Sequence, residues 1–184
     1  MSVTIVRLYD DHADAANVVA ELHRAGVSEH DISMIIRDDR ASGAAKGAEI
    51  GAVLGGLAGL AAGLGLLAIP GIGPALATGW LAATAAGAAA GALAGGALGV
   101  LSEAGVSGQE AHEIAECLRR GATLVAARVP EADKSRYEAI LNRRAIDLRV
   151  RIAAYRRTGW VAYDPNAAPY SPEEIRRERE FHRS

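Results

Sequence analysis

Side chains able to do chemistry are few in this chain and widely scattered. Its five histidines, His12, His23, His30, His112 and His182, fall on expected helices and turns, with no second histidine or cysteine at metal-ligand spacing. The tightest grouping is His112, Glu116 and Cys117. His112 and Glu116 stand at i and i+4 on one face of an expected helix, where they offer half of a metal site. Two ligands from one helix do not complete a coordination sphere, so a solvated helix face is the simpler reading. Cys117 is the only cysteine, which excludes an intramolecular disulfide, and with no base beside it the thiol reads as a small buried apolar group. Patterns of the GxGxxG kind recur because glycine is abundant, and none follows a strand, opens a helix and has a ribose-binding acid downstream. No catalytic, cofactor or metal residue is assigned, and the chain is expected to be non-enzymatic.

The elements that would carry these residues form two similar units. Val3 to Leu8 alternates and is β-rich, Asp10 and Asp11 offer caps for a helix from about Ala13 to Arg24, Gly26 stops it, and Ile32 to Ile36 reads as a second strand. In the second half, Ser107-Gly-Gln-Glu110 reads as a capping box opening a helix to about Arg120, followed by a strand over Thr123 to Val129. A further helix runs to about Arg143, then a short strand near Ile146 to Val150. Two such units predict an α+β fold: a ferredoxin-like four-stranded antiparallel sheet with helices on one face, split between residues 1–42 and 104–150. AGVS occurs at Ala25 to Ser28 and again at Ala104 to Ser107, and both copies read as turn chemistry.

Between the halves, residues 43–103 form a different kind of segment. No charged residue occurs from Ile50 to Ser102. Gly43, Gly47, Gly51, Gly55, Gly59 and Gly63 keep a four-residue beat, and Gly79, Gly87, Gly91, Gly95 and Gly99 continue it after a turn signal at Pro70, Gly71, Gly73 and Pro74. The pattern predicts a Gly/Ala-rich helical hairpin with arms over 50–69 and 75–102. The first arm, at about 1.5 Å per residue, would span roughly the 30 Å of a bilayer core. Each interior glycine costs a helix about 1 kcal/mol relative to alanine in water. Close backbone packing in lipid offsets that cost, so the ladder is expected to be a packing surface of a transmembrane hairpin, with the lipid bilayer and further copies of the chain as partners. The competing reading is a soluble homo-oligomeric scaffold whose hairpins bundle together. A pore is a third, disfavoured because the span lacks polar residues.

A formal net charge of −2 argues against nucleic acid as a partner. The start MSVTIVRLYDDHAD lacks the basic and apolar regions of a signal peptide. Flanking Arg37, Arg40, Lys46, Arg119 and Arg120 favour a bacterial inner membrane location with the soluble domain on the cytoplasmic side, the alternative being cytoplasmic throughout. In the tail, residues 151–184, Ser171-Pro-Glu-Glu174 reads as a capping box for a short charged helix. Arg156, Arg157, Trp160 and Tyr163 offer either an interfacial belt at a membrane surface or a set of aromatics docked on the protein itself.

The β-α-β start, the segment IPGIGPALATG and the run GVSGQEAHEIAECLRRGATLVAARV together resemble a bacterial family of general stress or heat-induced stress proteins, over about residues 1 to 150. The resemblance implies a small stress-associated protein, often labelled a membrane protein, with no catalytic residues to carry over.

Overall fold

The computed structural model describes residues 1–37, 65–69, 72–83 and 96–183. Strand β1 (Ser2–Tyr9) leads through helix α1 (His12–Arg24) and a 3-10 turn (Glu29–Asp31) into β2 (Ile32–Ile36). Asp11 caps α1, its Oδ1 accepting from the Ala13 N–H at 2.9 Å. Strands β3 (Gly65–Ile69) and β4 (Gly73–Thr78) follow, then helices α2 (Gly96–Glu103) and α3 (Gly108–Arg119), strand β5 (Thr123–Pro130), a 3-10 turn (Glu131–Asp133) and helices α4 (Lys134–Leu141), α5 (Leu148–Arg157) and α6 (Pro172–Arg183).

The sheet has five strands in the order β1-β5-β2-β4-β3, with every pairing antiparallel. Strand β5 therefore lies between β1 and β2, the two strands that α1 joins. Alternation along the strands sends side chains to two separate cores. Ile5, Tyr9, Ile32, Met34, Ile36, Val125 and Ala127 pack with Val18, Val19 and Leu22 of α1 and with Tyr137 and Leu141 of α4. Leu8, Ile35, Leu124 and Ala126 pack on the other face against Val100 and Leu101 of α2, Ile114 and Leu118 of α3 and Ile152 and Tyr155 of α5. Helices thus cover both faces, whereas the sequence pattern places them on one. Burial on two sides is why β2 and β5 are mostly apolar along their length instead of alternating with polar residues.

Two expected elements take another form. Residues 146–150 do not make a strand: Ile146 gives one hydrogen bond, from its N–H to the Leu8 carbonyl at 2.7 Å, and α5 begins at Leu148. Asp147 decides this, because its Oδ1 accepts from the Arg149 and Val150 amides at 3.0 and 3.2 Å, a helix N-cap that overrides the alternation of IDLRV. At α3, Ser107 occupies the cap position without a side-chain hydrogen bond, so the expected capping box does not close.

The helical hairpin is overturned around its expected turn, while residues 80–83 and Gly96–Glu103 of the expected second arm are helical. Gly65–Ile69 and Gly73–Thr78 are antiparallel strands, with Gly73 and Pro74 opening β4 instead of turning between helices. The same Gly and Pro signals that stop a helix also close a short β-hairpin, and the open edge of β2 recruits it: Leu76 enters one core while Ala75 and Ala77 enter the other. Gly79 is not in a helix stripe. It sits at φ +68° in the turn after β4, and a Cβ there would strike the Ile32 carbonyl and Ser33. Gly99 lies in α2, which has eight residues. Among the described residues no helix is long and apolar enough to cross a membrane, which overturns the transmembrane hairpin. Gly43, Gly47, Gly51, Gly55, Gly59, Gly63, Pro70, Gly71, Gly87, Gly91 and Gly95 lie outside the described residues.

Candidate functional site

The His112, Glu116 and Cys117 grouping comes apart in the fold. His112 turns its Nδ1 to the Gly108 carbonyl at 2.9 Å and meets the ring of Tyr163 edge-on. Glu116 points inward, is fully buried, and accepts from Arg119 Nε and Nη2 at 2.9 and 2.7 Å and from Arg120 Nε at 2.6 Å. A buried carboxylate of this kind persists only because both guanidiniums neutralise it; deleting one side of such a pair typically costs about 3–5 kcal/mol. Among the described residues no three His, Cys, Asp or Glu side chains are placed to share a metal ion.

Around Glu116 the C-terminal segments assemble. Arg120 lies over the Tyr155 ring at 3.9 Å, and Arg119 lies over Tyr170 at 4.7 Å while donating to the Ala168 carbonyl at 3.1 Å. Glu178 of α6 reaches both Arg120, at 3.6 Å, and His182, at 3.1 Å. Ile175 of α6 is buried against Gly121, where φ is +104° and a Cβ would collide with the isoleucine. The helix itself opens on a capping box that does close: the Ser171 amide donates to Glu174 Oε2 at 2.7 Å and the Glu174 amide to Ser171 Oγ at 3.3 Å. Between α5 and α6 this leaves a cleft of about 520 Å³ lined by Arg120, Tyr155, Tyr170, Phe181 and His182.

Cys117 belongs to the neighbouring layer, beside Tyr155 and the bidentate pair of Arg151 with Asp10 at 2.8 and 2.6 Å. Burial pushes its thiol up to about 12, more than the nearby Arg151 lowers it, so the side chain stays neutral and is a poor nucleophile. The tail residues are docked on the protein. Tyr163 is buried in the α3 and α5 layer, Trp160 packs edge-on against Tyr155 at 6.3 Å, and Arg156 donates to Glu113 at 3.2 Å. Arg157 is exposed. Of the two arrangements that the sequence offers for these residues, docking on the protein itself is the one seen for Trp160 and Tyr163.

The remaining feature with a consequence for function is the pair of sheet edges, which sequence reasoning missed. At β1 the edge is occupied: the Ile146 amide takes the Leu8 carbonyl, and Arg7 Nη1 takes the Val6 carbonyl at 2.8 Å while Arg7 Nε holds Asn142 Oδ1 at 2.6 Å. At the far side β3 ends the sheet among the described residues, with sequence GLLAI and no charge. The signal was available in the apolar runs on either side of IPGIGP, which fit a hairpin grammar as well as a helical one. No family model, curated protein or solved structure matches the chain.

Proposed function

We propose that the chain is a non-catalytic, self-associating scaffold of the stress-related class that its sequence resembles, working in the cytoplasm by joining copies of itself. The observation that carries this reading is the uncharged edge at β3. Sheet edges present unpaired backbone donors and acceptors, and proteins that stay single blunt them with charge, proline or a covering element. Such blunting is present at β1 and not among the residues of β3. Glu116, Cys117 and the docked aromatics serve the stability of the module, since each is consumed by an internal partner. A ferredoxin-like ancestry is part of the same proposal: β1, α1 and β2 with β5 between them reproduce its first split unit, and the single Ile146 hydrogen bond stands where its outer strand would pair.

Light scattering coupled to size exclusion, on full-length protein without detergent, tests the reading. The expected mass is a multiple of 19.0 kDa. A monomer at every concentration sinks it.

A further inference from the structure

We infer that two copies pair β3 against β3 across a two-fold axis, continuing the sheet from one copy into the other. This rests on the self-association reading and gives it a geometry. In an antiparallel ladder both polar backbone groups of a residue point the same way, and the direction alternates along the strand. The Leu8 carbonyl points away from β5, since it accepts from Ile146. Counting through the registers of β1 with β5, β5 with β2, β2 with β4 and β4 with β3 then assigns Gly65, Leu67 and Ile69 to the hydrogen-bonded pairs with β4. The bond from the Met34 amide to Thr78 Oγ1 at 3.1 Å, directed from β2 toward β4, agrees with that count. Leu66 and Ala68 consequently turn their N–H and C=O outward.

Those two residues are self-complementary. With a two-fold axis at Leu67, Leu66 of one copy faces Ala68 of the other in a hydrogen-bonded pair, and the reverse pair forms on the far side of the axis. Centring on Leu66 or Ala68 halves the pairing within the described strand. Two-fold pairing also sets Leu67 against its own copy and brings the same five residues together from both chains, which a strand of like charges would resist and GLLAI does not. The obvious competitor, β3 of one copy on β1 of the next, would build open polymers, and it is blocked where Arg7 and Ile146 already hold the Val6 and Leu8 carbonyls. A closed dimer is the remaining geometry.

The test is sedimentation velocity on the full chain over a concentration series, with Ala68→Pro and Leu67→Pro. Proline at 68 removes an outward donor, so it should abolish the dimer, at least a tenfold weakening, with little change in melting temperature. Proline at 67 removes a donor from the β3–β4 ladder and should lower the melting temperature. A second measurement covers the case in which both variants fail to fold. Leu67→Cys should form an intermolecular disulfide under mild oxidation, because directly opposed residues in a non-hydrogen-bonded pair lie about 4.5 Å apart between Cα atoms. Gly65→Cys and Ile69→Cys should not. A dimer unaffected by Ala68→Pro, or cross-linked equally well from 65 and 69, overturns the β3 pairing while leaving self-association standing. A wild-type chain that never dimerises, its edge covered by its own residues, overturns both.

Discussion

At the scale of single residues, Cys117 and several tyrosines are held in the core with their protons on. Cys117 and Tyr163 are each pushed up to about 12 by burial, and burial raises Tyr9 and Tyr155 further. In the unfolded chain a thiol titrates near 8.5 and a phenol near 10. Above about pH 9 the unfolded state therefore sheds protons that the native state keeps, and by linkage stability falls as pH rises toward 12. The effect is absent below about pH 8. Urea midpoints measured from pH 7 to 11 should stay level at first and then drop, with a slope of about 1.4 kcal/mol per pH unit for each fully contributing group. A midpoint that held through pH 11 would mean that these groups are open to water in the native state.

At the scale of elements, most starts and stops are local chemistry. The helix ends at Gly26, Gly105 and Gly121 share one design, a positive-φ glycine followed by an amide that returns to the preceding turn: Val27 to Leu22, Val106 to Leu101 and Ala122 to Cys117, at 3.0, 2.9 and 3.0 Å. The AGVS repeat is the first two of these caps. At Gly79, unlike Gly26 and Gly105, space as well as conformation excludes a side chain, and unlike at Gly121 the obstacle includes backbone, the Ile32 carbonyl and the Ser33 Cα. Gly26→Ala should cost about 1 kcal/mol from left-handed backbone alone, since a Cβ at that position meets nothing. Gly79→Ala must also displace the β2 backbone and should cost at least about twice as much. Thermal or urea unfolding of the two variants side by side checks the order; equal losses would mean that the β4 turn relaxes freely.

At the scale of the whole molecule, the two edges of one sheet differ in what lies along them among the described residues. Arg7 holds the β1 edge closed through Val6 and Asn142 and approaches Glu138 at 3.7 Å. Removing it should free a backbone acceptor beside the cleft of about 480 Å³ that follows this edge. Arg7→Ala is therefore expected to permit β3 of one copy to reach β1 of another, turning the proposed closed dimer into open polymers. Dynamic light scattering at increasing concentration reads this directly. A variant that stays the size of the wild type would place the barrier in Ile146 or in the helices around it.

The strands β1, β2 and β5, helix α1 and the α6 capping box were legible in the sequence, because alternation, apolar period, Asp11, Gly26 and the Ser171–Glu174 spacing act within a few residues of where they stand. Local energetics could not decide between a helix and a hairpin for GLLAIPGIGPALAT. That choice depended on a partner: β2 offered an unpaired edge and two cores offered space for Leu76, Ala75 and Ala77, all of it supplied by distant parts of the chain. The same holds for Glu116, whose i, i+4 relation to His112 was visible while its burial was not. Whether a carboxylate on a helix meets water or arginine is settled by what docks over it, here the Tyr155, Tyr170 and Glu178 segments. Short-range pattern sets the elements of this protein, and long-range burial sets which of their edges and charges are consumed inside the fold.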